Sequence, residues 1–337
     1  MSLQNAPVLP KAPKDLEKAV DDAGTKLERV RSEIANVILG QDEVVSLALT
    51  AILSGGHALL VGVPGLAKTL LVDTLGEVLG LDAKRVQFTP DLMPADIVGS
   101  EVLEEGKGGK RSFRFIPGPV FAQLLMADEI NRASPRTQSA LLQAMQERYV
   151  TVAGVRYDLP SPFHVLATQN PIEQEGTYPL PEAQLDRFLL QIDVNYPDTT
   201  TEKAILLATT GASQSSAKRV LREGDLQKLQ GLVRHMPVGD KVVDAILDLV
   251  RSARPDNSKV EAVTRDVAWG PGPRAGQALM LASRARALLD GRLSPSIDDV
   301  AALAGPVLRH RMALTFAARA EGRTLRGTVG KLVERIG

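Results

Sequence analysis

The chain has 337 residues, of which 44% are hydrophobic, so it can bury a sizeable core and is long enough for about two domains. Its 40 Lys and Arg residues balance its 40 Asp and Glu residues, and this lack of net charge disfavours a nucleic-acid partner. There is no cysteine, which excludes disulfides and thiolate metal sites and fits a reducing, cytoplasmic location.

The N-terminal residues are rich in proline and lysine and contain no apolar stretch. We therefore expect residues 1–14 to form a flexible tail rather than a signal peptide. Residues 44–67 carry no charge over a length that could cross a bilayer. Glycines and Pro64 interrupt this stretch, which is better explained by a helix over 42–53, a tight turn and a buried strand over 57–61. We expect no stable membrane insertion.

Short apolar strands alternate with helical patterns between residues 15 and 196. This alternation is typical of an α/β domain in which a mainly parallel sheet lies between helices. The predicted sheet strands are 57–61, 85–88, 123–127, 163–168 and 188–192. Glycine permits the positive φ of tight turns, and two further segments predict hairpins for this reason: an insert over 102–115 around Gly106, Gly108 and Gly109, and 149–157 around Ala153 and Gly154.

The character of the sequence changes after Tyr196. Strand-like runs disappear, and apolar residues recur at helical spacing. This predicts a second, smaller, all-helical domain over 197–337 that begins near Thr199. Within it we expect helices over 273–289 and over 297–303, the second of them capped by Ser296.

A glycine-containing loop follows the first predicted strand and opens a helix, which is the context of a phosphate-binding P-loop. Backbone N–H groups can bind phosphate oxygens, Lys68 can supply a cation to the β and γ phosphates, and Thr69 can offer its hydroxyl to Mg²⁺. Ala67 replaces the usual glycine, but we expect this position to have entered the helix, where alanine is allowed. The alternative is a simple turn with a solvated lysine. The predicted nucleotide-binding residues of the loop are Gly62, Val63, Pro64, Gly65, Leu66, Ala67, Lys68, Thr69 and Leu70.

Two later strands end in polar side chains suited to the same chemistry. Asp128 and Glu129 follow a buried strand, so Asp128 can hold Mg²⁺ and Glu129 can polarise the attacking water, as in a Walker B element. Asn170 follows the strand at 163–168 and can orient the water or the γ-phosphate, since ligands gather at the carboxyl ends of parallel strands. In isolation these residues could also be solvated acids and an Asn-Pro turn.

Two arginines could place positive charge on a γ-phosphate. Arg187 lies just before the last predicted strand, and Arg274 is at the start of the helix at 273–289. Pairing with a local carboxylate such as Asp186 is the alternative for either arginine. The residues alone leave this choice open.

Taken together, these motifs resemble the MoxR family of AAA+ ATPases, and the similarity covers nearly the whole chain after the tail. It is carried by the loop at 62–69, by Asp128-Glu129-Ile130-Asn131-Arg132, and by the segments 167–171 and 179–188. The segments 173–178 and 307–311 also fit this family, which makes the match more specific than the general AAA+ motifs.

The resemblance implies an ATP-hydrolysing, Mg²⁺-dependent ring, usually a hexamer, built from a nucleotide-binding domain and a helical lid. It implies that Asn170 is sensor 1, that Arg274 is sensor 2, and that Arg187 is an arginine finger reaching the adjacent subunit's nucleotide. The hairpin at 102–115 would be the insert of this branch of AAA+ proteins. The implied adenine pocket consists of Val37, Ile38, Leu39, Gly40 and Gln41.

By the same resemblance, the ring is a chaperone-like factor that remodels or activates client protein complexes, often with a von Willebrand factor A domain partner. We expect Glu129 to activate water, and a hinge at 196–199 to let Arg274 approach or leave the nucleotide. The alternatives are a chelatase-type motor subunit for metal insertion, a scaffold that binds ATP without hydrolysing it, and a nucleic-acid-dependent motor. Neutral charge and only 4% aromatic residues disfavour the last of these.

Overall fold

The computed structural model describes residues 13–105, 111–173, 176–211 and 216–336. Its helices are α1 (Pro13–Ala35), α2 (Asp42–Leu53), α3 (Lys68–Leu79), α4 (Pro94–Val98), α5 (Pro135–Glu147), α6 (Glu182–Leu185), α7 (Thr199–Thr210), α8 (Asp225–His235), α9 (Asp240–Ser252), α10 (Glu261–Asp266), α11 (Pro273–Leu289), α12 (Ile297–Leu308), α13 (Phe316–Ala320) and α14 (Leu325–Val333). Its strands are β1 (Ala58–Val61), β2 (Ala83–Gln87), β3 (Gly99–Glu105), β4 (Arg111–Pro117), β5 (Leu124–Asp128), β6 (Tyr149–Val152), β7 (Val155–Asp158), β8 (His164–Gln169), β9 (Leu190–Asp193), β10 (Val267–Trp269) and β11 (Ala313–Leu314).

Five strands form a parallel sheet in the order β2-β5-β8-β1-β9. β8 lies between β5 and β1, so Leu166 is opposite both Met126 and Ala58. Every residue of β5 is buried, as expected for a sheet covered on both faces. Because the strands run in one direction, the loops that follow β1, β5 and β8 all leave the sheet at the same edge.

A hydrophobic cluster packs on each face of the sheet. On one face α4 and α5 contribute side chains such as Ile97 and Leu141. On the other face the cluster contains Leu71 of α3 and also Leu279 of α11, so the C-terminal helices share a core with the sheet-containing part. Burying each such side chain stabilises the fold by about 1.5–3 kcal/mol.

Helix α1 ties the C-terminal helices to the rest of the molecule. Its apolar stripe of Leu27, Val30 and Ile34 is completely buried in the cluster that contains α3 and α11. On its polar side, Lys26 pairs with Asp225 at the start of α8 at 3.5 Å. The C-terminal helices are therefore fixed against the sheet-containing part by apolar packing on more than one helix.

The elements predicted from sequence are confirmed to within a few residues. The five sheet strands are present, α2 and α11 have the predicted bounds, and the capping box of Ser296 and Asp299 starts α12. The 149–157 hairpin turns at Ala153 and Gly154, both with positive φ. The insert is a hairpin of β3 and β4, although its predicted turn at 106–109 lies outside the described residues.

Two expectations need a correction or lie partly outside the described residues. The predicted tail over 1–14 lies outside the described residues except at its end, where α1 begins at Pro13. The C-terminal part is not all-helical, because β10 and β11 form a two-stranded antiparallel sheet. These strands are too short for alternating hydrophobicity to reveal them. Across the described ranges, no helix is long and apolar enough to cross a membrane.

Candidate active site

The predicted P-loop leaves the carboxyl end of β1 and leads into α3, which begins at Lys68. Gly65 has φ of +84° and Ala67 has φ of 55°, so two residues of the loop are left-handed. No backbone N–H from Gly65 to Leu70 finds an acceptor in the described parts of the chain. A concave loop with free N–H groups at a helix N-terminus is a binding site for anions such as phosphate.

The conformation of Ala67 corrects the sequence-based expectation. Ala67 has not entered the helix; it is the N-cap of α3, with φ of 55° and ψ of 22°. A left-handed conformation costs a residue with a Cβ about 1–2 kcal/mol. Glycine would adopt this conformation without that cost, so alanine occupies the position with strain.

Lys68 lies inside the loop that precedes it. Its Nζ donates to the carbonyl oxygens of Gly62 at 2.7 Å and Val63 at 2.8 Å. Partial burial lowers the pKa of Lys68, while the Asp128 and Glu129 carboxylates oppose that shift. The structure thus brings the predicted phosphate-binding lysine close to the predicted carboxylates.

Asp128 ends β5 with both carboxylate oxygens already hydrogen-bonded. Thr168 Oγ1 donates to Oδ1 at 2.5 Å, and Arg85 donates to Oδ2 at 2.6 Å. Thr168 comes from the neighbouring strand β8 and Arg85 from β2 on the other side. Because its oxygens have protein partners, Asp128 is suited to hold a cation through water rather than directly.

Glu129 is held in place by its backbone and its side chain. It has left-handed backbone with φ of 54°, and its N–H donates to Thr168 Oγ1 at 2.8 Å. Its Oε2 accepts from Gln87 at 2.8 Å and from Arg132 at 3.0 Å. This hydrogen bond to Glu129 raises the pKa of Arg132. The carboxylate is therefore oriented at the edge of the sheet where the P-loop lies.

Asn170 follows β8 and is buried, with 5% of its surface exposed. Its Oδ1 accepts from the N–H of Ile172 at 3.1 Å, which is the Asx-type turn expected of an Asn-Pro sequence. Since β8 lies between β1 and β5, Asn170 leaves the sheet between the P-loop and Glu129. Asn170 therefore makes the hydrogen bond of an Asn-Pro turn and also lies at the predicted edge of the sheet.

A cavity of about 450 Å³ opens beside the P-loop. Gln41 donates from Nε2 to the carbonyl of Leu66 at 3.2 Å, while its buried Oε1 has no partner among the described residues. Gly40, also predicted for the adenine pocket, is not a lining residue but packs closely on α7, because a Cβ there would lie 2.1 Å from the Thr201 side chain. The cavity is lined by Asn36, Val37, Ile38, Leu39, Gln41, Ala67, Leu70, Ile205, Ala208 and Thr209.

Arg187 and Arg274 lie together, but at the opposite edge of the sheet from the P-loop. They line a cavity of about 280 Å³ with Gly56 and His57, which precede β1. Arg274 pairs with Asp186 at 3.6 Å, the alternative left open by the sequence. The P-loop follows β1, and four residues at about 3.3 Å each separate the two edges by about 13 Å.

This position overturns the expected hinge at 196–199. Arg274 belongs to α11, whose Leu279 is completely buried in the core shared with α3. Bringing Arg274 to the P-loop of its own chain would require that core to open. A hinge at 196–199 alone would therefore not bring Arg274 to the P-loop of its own chain.

Arg311 fixes the segment that carries Arg187. Its Nε donates to Asp186 Oδ1 at 2.7 Å, and its Nη2 donates to the Phe188 carbonyl at 2.6 Å. Its Nη1 donates to Leu189 O at 3.1 Å. Burial lowers the pKa of Arg311, and the Asp186 carboxylate opposes that shift.

The sequence analysis did not identify Arg85 and Gln87, which hold the predicted site residues Asp128 and Glu129 in position. Arg85 and Gln87 lie two apart on β2, so they project to one face and meet Asp128 and Glu129. Their spacing of two residues indicates that both side chains lie on one face of a strand. The sequence does not show that this strand pairs with β5. No cluster of three or more metal-ligating acids, histidines or cysteines occurs in the described ranges.

Comparison with known proteins agrees with this fold. Residues 57–190 match the ATPase family associated with various cellular activities (AAA), and residues 260–334 match the AAA lid domain. The crystal structure of a protein from Cytophaga hutchinsonii superposes with a TM-score of 0.89 at 36% identity, over 96% of this chain and 98% of that one. A parallel sheet with a phosphate loop, followed by this lid, defines an AAA+ ATPase.

The similarity extends to a particular family within that class. The chain is 45% identical to Chaperone MoxR1 of Mycobacterium tuberculosis over 88% of its own length and 78% of the relative. It is 31% identical to Protein MoxR of Paracoccus denitrificans over 90% of its own length and 93% of the relative. The chain belongs to the MoxR family of AAA+ ATPases.

Proposed function

We propose that this ATPase hydrolyses Mg·ATP at sites shared between neighbouring subunits of a ring, with a hexamer as the expected size. The observation that supports it is the position of Arg187 and Arg274 at the sheet edge opposite Lys68. Neither arginine can reach the nucleotide of its own chain, so each serves the site of an adjacent copy. Contacts between two different surfaces close into a ring when their rotation permits.

Nucleotide binding would use the cavity and the P-loop together. Adenine fits a cavity with apolar walls and a partner-free acceptor, because its exocyclic amine can donate to Gln41 Oε1. The free N–H groups from Gly65 to Leu70 and the ammonium of Lys68 would bind the phosphates. Lys68 would exchange its bonds to the loop carbonyls for bonds to phosphate oxygens.

Hydrolysis would begin with attack of water on the γ-phosphorus. Glu129 takes the water proton as the new P–O bond forms, and Asn170 holds the water or a γ-oxygen in line. Thr69 and Asp128 would hold Mg²⁺, which when bound neutralises charge on the β and γ oxygens. Arg187 and Arg274 of the adjacent copy stabilise the charge that develops as the bond to ADP breaks.

The ring would act as a chaperone-like factor that remodels a client protein complex in the cytoplasm, together with a von Willebrand factor A domain partner. The naming of Chaperone MoxR1 supports this role. Arg311 bonds the lid to the segment of Arg187, so loss of phosphate at one site can displace a whole neighbouring subunit. No nucleic-acid partner is proposed, because the chain has no net charge.

Phosphate release per subunit, measured against protein concentration, tests the shared site. The samples are wild type, Glu129→Gln, Arg187→Ala, and an equimolar mixture of the two variants; Arg319→Ala, an exposed arginine on α13, is the control. We expect wild-type activity per subunit to rise with concentration and both site variants to be inactive. In random rings the mixture should recover about a quarter of wild-type turnover, since one interface in four pairs intact Glu129 with intact Arg187.

The mixture separates a shared site from one contained within a chain. If Glu129 and Arg187 acted within one subunit, mixing two inactive variants would restore nothing. If Arg187→Ala keeps full activity at every concentration, the shared site is wrong and the ring proposal fails with it.

A further inference from the structure

A second cavity, of about 480 Å³, lies between α9 and α11. We call it the lid groove. Its walls are the apolar side chains of Val243, Ile246, Leu247 and Met280, and Arg251 lies at its border. Leu247 remains 54% exposed, so the groove presents uncovered apolar surface. Gly276 keeps it open, because α11 has no side chain at that position.

Helix α7 presents apolar side chains that nothing in the described chain covers. None of its 12 residues is buried. Ile205 and Ala208 line the nucleotide cavity, whereas Leu206 is 63% exposed and Leu207 is 70% exposed. A helix of about three turns is marginal in water without packing on an apolar face. The two leucines are therefore a surface suited to burial against another molecule.

The positions of the two surfaces relative to the proposed shared site bring them together. Gln277 of α11 lines both the lid groove and the cavity of Arg187 and Arg274. Helix α7 lines the nucleotide cavity that those arginines must approach on the adjacent copy. A contact that places Arg274 on a neighbouring nucleotide therefore places the lid groove beside that neighbour's α7.

Charge also favours this contact. Glu202 precedes Leu206 by four residues on α7, so the two side chains lie on one face of the helix. Among the described residues Glu202 has no ion-pair partner, and neither does Arg251 at the groove. An acid beside two leucines complements an arginine beside an apolar groove.

We propose that Leu206 and Leu207 of one subunit occupy the lid groove of the adjacent copy, with Glu202 paired to that copy's Arg251. The inference rests on the proposed ring and names the contact that holds its subunits together beyond the nucleotide. It also explains why Leu206 and Leu207 of α7 have no covering apolar partner among the described residues.

Cysteine cross-linking tests this contact directly, because the chain contains no cysteine. Leu207→Cys and Leu247→Cys are purified separately, mixed with ATP, and treated with a short bis-maleimide cross-linker. We expect a cross-linked dimer of the two variants in the mixture. Leu207→Cys mixed with Phe316→Cys is the matched control, since Phe316 is an apolar side chain with 82% exposure on a different helix, and it should give no such product.

Sedimentation of the same samples distinguishes the two proposals. If rings form and Leu207→Cys cross-links to Leu247→Cys no better than to Phe316→Cys, the docking is wrong while the shared site stands. If no assembly forms with ATP at any concentration, the proposed ring and the docking are both wrong.

A charge exchange tests the ion pair separately. Glu202→Arg and Arg251→Glu should each weaken assembly about tenfold, and the double variant should recover most of it, because opposite charges face each other again. Double-variant assembly no stronger than that of the single variants would overturn the pairing.

Discussion

The guanidinium of Arg311 is bonded to Asp186, the residue that precedes the proposed arginine finger, through a 2.7 Å hydrogen bond from Nε to Oδ1. Only 2% of Arg311 is exposed, yet its donors all have acceptors. Besides Asp186, they are the carbonyls of Phe188, Leu189 and Val307. One lid residue thus holds the backbone on both sides of Arg187.

Arg311→Lys should slow hydrolysis without weakening ATP binding. Lysine keeps the charge, but its single ammonium group cannot donate to all of these acceptors at once. The segment around Arg187 therefore loses its fixed position. We expect kcat to fall about tenfold and the Kd for ATP to stay unchanged. The free energy of unfolding should fall by about 2 kcal/mol. Arg292→Lys is the control, because Arg292 makes a similar fork to Asp299 away from the site. Equal effects of both variants on kcat would contradict a positioning role for Arg311.

Ala67→Gly should stabilise the protein. Glycine removes about 1–2 kcal/mol of left-handed strain, and its greater freedom in the unfolded chain offsets about 0.5–1 kcal/mol of that gain. We therefore expect the free energy of unfolding in urea to rise by up to about 1.5 kcal/mol. Ala204→Gly, inside α7, should instead lower it by about 0.5–1 kcal/mol. A loss of stability in both variants would mean that Ala67 is not strained.

Gln41 should make the site prefer ATP over inosine triphosphate. Its free Oε1 can accept from the exocyclic amine of adenine, but it faces a carbonyl oxygen on inosine. We expect a preference of about tenfold in Kd for the wild type, corresponding to roughly one hydrogen bond, and its loss in Gln41→Ala. Asn36→Ala, which changes another residue of the same cavity, should keep the preference. An unchanged ratio in Gln41→Ala would place the base elsewhere.

Acid should destabilise the protein through His164. Burial lowers its pKa to about 4, while the unfolded side chain titrates near 6.5. Below pH 6.5 the unfolded chain therefore takes up a proton that the folded chain excludes, and stability is lost as the pH falls toward 4. The neutral ring is held between the Gly56 carbonyl at 2.8 Å and Gln230 at 3.0 Å.

Urea unfolding at pH 7.5 and pH 5 measures this effect. From the pKa difference, wild type should lose about 2 kcal/mol between these values through His164 alone. His164→Gln starts less stable at pH 7.5 and should lose about 2 kcal/mol less on acidification. Parallel losses in the two proteins would show that His164 does not control the acid response.

The sequence by itself determined the features that depend on neighbours along the chain. The alternation of short apolar strands with helical patterns predicted the parallel sheet, and the glycine-containing loop before Lys68 predicted the P-loop. The polar residues Asp128, Glu129 and Asn170 each follow a strand, and parallel strands carry their carboxyl ends to one edge. The structure confirms these placements, and the catalytic roles remain predictions.

Only the tertiary structure decided where distant segments meet. Arg187 and Arg274 are 87 positions apart in the numbering, and no local pattern shows that they lie together at the far edge of the sheet. The bonds of Arg85 to Asp128 and of Arg311 to Asp186 likewise depend on strand order and lid packing. The conformation of Ala67 was likewise not predictable from the P-loop motif, because its φ is set by closure of the loop onto α3 rather than by the preference of alanine. Sequence periodicity indicates which face of a helix or strand is buried. Long-range contacts depend on how those faces pack, so the proposed shared site could be located only once the fold was known.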